Sequence, residues 1–183
     1  MPISNEHAVV EATRQWLEKA VIGLNLCPFA GVPWRQGRVR LRVSEATSLQ
    51  LLAEDLADEL LALYKTDPAE CETTLLIHPR VLGDFLDYND FLDIADGLLE
   101  QMELDGTIQI ASFHPDYRFA DSPPDDPANC TNRSPWPMLH LLRETSIETA
   151  TANLPDTNTI YERNIETLRA LGLAGWKDLI NGD

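Results

Sequence analysis

The feature of the sequence that most restricts the fold is an alternation of three short strands with two amphipathic helices. The predicted strands are residues 38–43, 73–78 and 107–113, and the predicted helices are residues 47–65 and 89–103. The first strand alternates arginine with valine or leucine, as a strand with one buried face does. In both helices the large apolar residues recur at intervals of three and four, which favours one buried stripe on each helix.

The connections between these strands have the length and content of parallel crossovers. Each is about thirty residues long and contains one helix. We therefore predict an α/β fold with a short, mostly parallel central sheet, a βαβαβ core, and additional helices at the N-terminus (5–24) and the C-terminus (ending at Gly172). No repeat or low-complexity linker interrupts residues 1–183, a length typical of one domain, so we expect a single domain.

The ends of the second and third predicted strands indicate where a site would lie. These strands end at His78-Pro79 and at His114-Pro115. Parallel strands share one carboxyl edge, and ligands of open α/β sheets bind at that edge. We therefore expect His78 and His114 to lie on a common rim of the sheet.

A polar, proline-rich segment follows the second of these histidines. Residues 112–144 hold half of the twelve prolines, and a loop of this length without periodicity is usually functional or disordered. Its aromatic residues argue against disorder. At its end, Ser134 followed by Pro135 has the pattern of a helix start, so we predict another helix there, burying Met138, Leu139 and Leu142.

The polar residues of this segment are the basis of a first hypothesis, an enzyme acting on a small anionic molecule. In it His114 is the acid–base group, and Asp125 or Asp126 orients it. Arg133 and Arg143 clamp the anion through bidentate hydrogen bonds. The remaining substrate-binding candidates are His78, Asn129, Asn132 and Ser134. In the competing structural interpretation these side chains hold turns and form ion pairs within the fold.

Two other classes of function remain open. A non-catalytic binding or assembly protein would use the proline-rich loop as a docking surface, with Tyr117, Phe119 and Trp136 partly exposed in a patch and the histidines buried and hydrogen-bonded. A metal-binding protein would use His78, His114 and a loop carboxylate. No HxH, HxD or HExxH spacing is present, so we assign no metal ligand. The sequence leaves the cofactor, the reaction and the oligomeric state open.

Charge and cysteine content restrict the partners and the compartment. The formal net charge of −16 disfavours nucleic acid and anionic membranes as partners. No apolar run reaches the length of a membrane span, and the N-terminus lacks the pattern of a secretory signal, so we expect a cytoplasmic protein. The three cysteines are widely spaced and include no CxxC pair, which argues against a disulfide framework. Cys27, before Pro28, is either a nucleophile or a small buried thiol, and the second interpretation is the simpler.

Four segments of the chain resemble a known family. They are GLNLCPFA (23–30), DFLDYNDFLDIAD (84–96), IASFHPDYRFA (110–120) and DDPANCTNRSPWPMLHLLRE (125–144). They are similar to the bacterial domain-of-unknown-function family numbered 1415, and YERNIETLRALG (161–172) fits it too. The resemblance covers nearly the whole chain. It implies no activity, cofactor or catalytic residue.

Overall fold

A computed structural model describes residues 5–154 and 156–182, which form one mixed sheet with helices on both of its faces. The strands are β1 (Val39–Val43), β2 (Thr73–Ile77), β3 (Ile108–Phe113) and β4 (Met138–Arg143). The α-helices are α1 (Glu6–Trp16), α2 (Gly31–Arg35), α3 (Leu49–Lys65), α4 (Phe85–Gln101), α5 (Glu144–Thr151) and α6 (Asn158–Asn181). A π-helical segment (Leu17–Ile22) continues α1, and a 3-10 helix (Pro127–Asn132) precedes β4. None of the helices in these residues combines the length and the apolar character needed to cross a bilayer.

The strand order in the sheet is β1-β2-β4-β3. β1 and β2 pair in parallel, whereas β4 pairs antiparallel with both β2 and β3. The α/β class is therefore confirmed, and β1, β2 and β3 do run in one direction. The prediction of a mostly parallel sheet is wrong, because β4 lies between β2 and β3 and makes the sheet mixed.

The segment that forms β4 was predicted as a helix, and this prediction is wrong. The hydroxyl of Ser134 donates to the carbonyl of Trp136 at 2.7 Å instead of capping a helix. As a strand, Met138–Arg143 hydrogen-bonds to β2 on one side and to β3 on the other. Without it, both neighbours would present unpaired backbone N–H and C=O groups inside the domain, at a cost that outweighs a local preference for helix.

Helices α3 and α4 cover one face of the sheet. Ser48 caps α3 by accepting a hydrogen bond from the N–H of Leu51 at 3.3 Å. Asp84 caps α4 in the same way, so that helix begins four residues before its predicted start at Asn89. Leucines of α3, Phe91 of α4 and apolar residues of β2, β3 and β4 form the larger core cluster.

Two arginines on one face of β1 pair with an acid of α3. Glu59, which is only 6% exposed, accepts two hydrogen bonds from Arg40, at 2.9 and 3.0 Å. Its second oxygen also lies 3.4 Å from the Nε of Arg42. Both arginines therefore pair with an acid of the protein itself, and Arg40 does so in the bidentate geometry that suits a guanidinium group.

Helix α1 and the end of α6 cover the other face of the sheet. Gly172, with a φ of 72°, interrupts α6 near the end predicted for this helix, and the chain then continues in helix to Asn181. Trp176, Leu179 and Ile180 of this continuation pack against the second core cluster, which includes Val9 and Trp16 of α1.

The π-helical segment after α1 ends at a position that requires glycine. The N–H of Gly23 donates to the carbonyl of Glu18, five residues earlier, at 3.0 Å. A Cβ on this residue would lie 2.2 Å from the carbonyl oxygen of Lys19. Only glycine therefore allows the widened turn to close without displacing the backbone.

Candidate functional site

His78 and His114 lie on the same edge of the sheet, directly after β2 and β3, and both are fully buried. Both rings pack against one neighbour, with centroids 5.8 and 5.0 Å from the Tyr88 ring. Nε2–H of His114 donates to the carbonyl of Leu82 at 3.1 Å, and its Nδ1 accepts from the N–H of Asp116 at 3.0 Å. Because both ring nitrogens bind backbone groups, this geometry does not favour His114 as the acid–base group. That role for His114 stays a prediction.

His78 is equally inaccessible. Its Nδ1 lies 3.0 Å from the carbonyl of Val81, while its Nε2 has no hydrogen-bond partner within residues 5–154 and 156–182 and is shut off from solvent. Burial lowers the pKa of His78 to about 4, so the ring is neutral at physiological pH. Over the same residues no three His, Cys, Asp or Glu side chains come together as a possible metal site. The metal hypothesis therefore gains no support.

The two candidate aspartates have different environments. Asp126 caps the 3-10 helix through a 3.0 Å hydrogen bond from the N–H of Ala128, and it pairs with Arg169 of α6 at 2.8 Å. The hydrogen bond from Arg169, followed by that from Ala128, lowers the pKa of Asp126 to about 2. Asp125 is exposed to solvent. Neither carboxylate contacts a histidine ring, so the pairing predicted for His114 is not observed.

Two asparagines of the segment connect its turns. Asn129 is fully buried; it accepts from the N–H of Phe119 at 3.0 Å and donates to the carbonyl of Pro123 at 2.8 Å. Asn132 donates to the carbonyl of Ser112 at 2.9 Å. Because these amides bind main-chain groups, they hold the shape of the loop, as the structural interpretation proposed.

The two candidate arginines lie on opposite sides of β4 along the chain: Arg143 ends the strand, and Arg133 lies five residues before its start. Arg133 donates to the carbonyls of Tyr117 and Pro124, at 3.1 and 2.9 Å, beside the rim that carries His114. Arg143 donates to two carbonyls in the connection between α3 and β2. A strand of this length separates the two ends by about 16 Å, at about 3.3 Å per residue. The arginines therefore do not form the predicted common clamp.

The aromatic residues of the proposed docking surface are partly exposed, and each packs within the molecule. The Tyr117 ring lies 5.2 Å from the Phe85 ring, and the Phe119 ring lies 6.2 Å from the Tyr161 ring. Trp136 packs against the second core cluster. A docking role for the loop stays a prediction.

A large concave site lies elsewhere, on the face of the sheet that α1 covers. It is a cavity of about 430 Å³ whose lining is almost entirely apolar. Its floor is formed by Thr73, Leu75, Ala111, Phe113, His140 and Leu142. Its walls come from Trp16, the π-helical segment, residues 27–34 and α5.

Strand alternation explains why a histidine lies in this floor. Alternate residues of β4 face the cavity, so His140 lies on the same side as Leu142. The register places His140 opposite Leu75 of β2 and opposite Ala111 of β3. Residues directly opposite on neighbouring strands have Cβ atoms about 5 Å apart, so an aliphatic side chain flanks the imidazole on each side.

His140 has one ring nitrogen bound and one open. Its Nε2 lies 2.8 Å from the hydroxyl oxygen of Thr73, and that hydroxyl donates to the carbonyl of Leu141 at 2.6 Å. Its Nδ1 has no hydrogen-bond partner in the part of the chain that the structure describes, and it is not among the atoms shut off from solvent. Burial lowers the pKa of His140 to about 4, so the ring is neutral at physiological pH.

Cys27 contributes to the wall of the same cavity. Its thiol is partly buried, and burial raises its pKa, so the protonated thiol predominates near neutral pH. This environment favours the small buried thiol over the nucleophile. Across the cavity, Trp16 packs edge-on against Phe113 with ring centroids 5.3 Å apart.

Sequence reasoning missed this site because it missed β4. On the predicted helix, His140 would lie on a face apart from the buried leucines. In the strand, MLHLLR places His140 on one sheet face with Met138 and Leu142 and places Leu139 and Leu141 on the other. Six residues with four large apolar side chains fit either structure, and reading them as a strand buried on both faces would have located the histidine.

Comparisons with known proteins agree with the resemblance and add no activity. No curated protein and no solved structure matches the chain. The family model described as "Protein of unknown function (DUF1415)" matches residues 8–178. The match includes all five segments on which the resemblance rested and every strand of the sheet. This chain therefore belongs to the DUF1415 family of proteins of unknown function.

Proposed function

We propose that this protein binds a small, largely apolar molecule in the cavity between the sheet and α1. The observation that carries the proposal is the cavity itself, with a volume of about 430 Å³ and an almost wholly apolar lining. Small-molecule sites are typically clefts of about 300–1,000 Å³, lined by apolar and aromatic side chains with a few polar groups that orient the ligand. Thr73 and His140 are such polar groups here.

The cost of leaving the apolar lining in contact with water supports an occupant. Each Å² of apolar surface that a ligand covers favours binding by about 25 cal/mol. Water compensates poorly in such a site, because each molecule needs two to four polar partners. An apolar ligand restores the missing contacts.

The ligand that we propose is neutral, unlike the anionic molecule that the sequence suggested. Arg133 and Arg143 both donate to main-chain carbonyls. Glu72, at the edge of the cavity, pairs with Arg38. An anion entering the apolar space would lose its hydration, and the guanidinium of Arg143, which lines the cavity, is already held by the carbonyls of Thr66 and Cys71. We place this binding in the cytosol, where the three free cysteines would stay reduced.

Binding of 2-methylnaphthalene, a compact hydrocarbon, tests the proposal. Trp16 and Trp34 line the cavity, so titration should change the tryptophan fluorescence of the wild-type protein. Ala111→Phe adds a phenyl ring to the floor beside His140 and should weaken binding at least tenfold while keeping the fold. Ala62→Phe adds the same bulk on an exposed position of α3, outside the cavity, and should bind as the wild type does. Absence of binding to the wild type, or equal binding by the Ala111 variant, would overturn the proposal.

A further inference from the structure

We infer that the ligand of this cavity carries one neutral hydrogen-bond donor, a hydroxyl or an N–H group, which it gives to Nδ1 of His140. The inference rests on the proposed function and specifies the chemical class of the ligand. It follows from the hydrogen bonds of Thr73, from the position of the imidazole in the floor, and from the surroundings of the open nitrogen.

The tautomer of His140 is set by its neighbour. The hydroxyl of Thr73 has one hydrogen, and the carbonyl of Leu141, 2.6 Å away, can only accept it. The Nε2 of His140, 2.8 Å from the same hydroxyl oxygen, must therefore be the donor in their hydrogen bond. In the neutral ring this leaves Nδ1 as an acceptor with a free lone pair.

The position of the ring makes this acceptor distinctive. His140 lies between Leu75 and Ala111, with Phe113 nearby at a ring-centroid distance of 6.0 Å. A ligand that fills the cavity keeps water from this acceptor, so a ligand group that donates a hydrogen bond to Nδ1 binds more tightly than one that does not. A purely apolar ligand leaves the acceptor unsatisfied.

The surroundings also determine which donor fits. An ammonium group would have to shed its hydration in an apolar space, and the nearest carboxylate along the lining, Glu72, is already paired with Arg38. A carboxylate would oppose the lone pair of Nδ1. A neutral hydroxyl or N–H group on an apolar body carries no charge that must be desolvated, and it can donate a hydrogen bond to Nδ1.

Two ligands of almost the same shape test the inference. 2-Naphthol and 2-methylnaphthalene differ by a hydroxyl in place of a methyl group. We expect the wild-type protein to bind the naphthol about threefold to tenfold more tightly, the net effect of one hydrogen bond. His140→Phe should abolish this preference while still binding the hydrocarbon. His7→Phe, at an exposed position of α1, should keep the preference.

The outcomes separate this inference from the proposed function. Equal affinity of the wild type for the two compounds, or a preference that survives in His140→Phe, overturns the inference and leaves the cavity as an apolar site. Failure of the wild type to bind either compound overturns both.

Nitrogen-15 NMR of the wild-type protein tests the inference without a variant. We expect His140 of the free protein to show a protonated Nε2 and an unprotonated Nδ1. 2-Naphthol should shift the Nδ1 resonance, and 2-methylnaphthalene should not. A protonated Nδ1 in the free protein would contradict the inference, as would an Nδ1 resonance unchanged at saturating naphthol.

Discussion

His140 and Thr73 are joined by a side-chain hydrogen bond of 2.8 Å between β4 and β2, on the face of the sheet that forms the cavity floor. The bond fixes both the tautomer and the orientation of the imidazole. It also makes Thr73 an interior residue with two hydrogen bonds, since its hydroxyl donates to the carbonyl of Leu141.

Removing this hydroxyl should cost stability. Thr73→Val keeps the shape of the side chain but leaves Nε2–H of His140 and the carbonyl of Leu141 without this partner. We expect the free energy of unfolding, measured with urea, to fall by about 1–3 kcal/mol. Thr107→Val, at an exposed position, should change it by less than about 0.5 kcal/mol. Equal stability of the two variants would contradict the role given to Thr73.

The buried His78 should make the stability depend on pH. Its pKa is lowered from an ordinary 6.5 to about 4, chiefly by burial, so the unfolded chain binds more protons than the folded chain between these values. The contribution of His78 is therefore complete above pH 6.5 and is lost as the pH falls towards 4. A pKa shift of this size corresponds to about 3 kcal/mol of unfolding free energy.

Urea unfolding at pH 7.5, 6 and 4.5 measures this dependence. His78→Gln, which keeps a donor for the carbonyl of Val81, should lose less stability on acidification than the wild type does. His7→Gln, on the surface of α1, should behave as the wild type. The same pH dependence in His78→Gln and in the wild-type protein would contradict the role given to His78.

The polar loop should be sensitive to mutation where it is buried and tolerant where it is exposed. Asn129→Ala leaves the N–H of Phe119 and the carbonyl of Pro123 without their partner, and should cost about 2–3 kcal/mol of unfolding free energy. Asp125→Asn, at an exposed position, should cost less than about 0.5 kcal/mol. Neither substitution should change the affinity for 2-methylnaphthalene in folded protein. A loss of ligand affinity in Asp125→Asn would indicate that the ligand binds at the proline-rich loop instead of the cavity.

Much of the fold follows from local patterns. The alternation of β1, the leucine spacing of α3 and the β-favouring run of β2 each reflect which side chains are buried, and the structure confirms all three elements. The common edge carrying His78 and His114 was also predictable, because the helical crossovers require β1, β2 and β3 to run in one direction.

The remainder depends on contacts that no short pattern records. β4 is a strand because it fills the space between β2 and β3, and its own sequence resembles a capped helix. The cavity needs β4, α5 and the π-helical segment together. The loop asparagines were predicted to bind a ligand because the sequence does not show that their side-chain amides already hydrogen-bond to main-chain groups.

The π-helical wall of the cavity should be intolerant of a side chain at Gly23. Gly23→Ala would place a Cβ 2.2 Å from the carbonyl oxygen of Lys19, so the backbone must shift, and we expect a loss of more than about 1 kcal/mol. Gly97→Ala, in open space on α4, should instead stabilise the protein by about 0.5–1 kcal/mol. Thermal unfolding of the two variants compares them directly, and a stabilised Gly23→Ala protein would show that the turn is not constrained in this way.

The ligand site that we propose lies on the α1 face of the sheet, in the cavity whose floor includes His140. A two-dimensional NMR titration of the labelled wild-type protein with 2-naphthol locates the site. We expect the largest shift changes on Leu75, Ala111 and Leu142 of the floor and on Ala150 of α5. Changes centred on residues 115–133 of the proline-rich loop, or no changes at saturating ligand, would contradict the proposal.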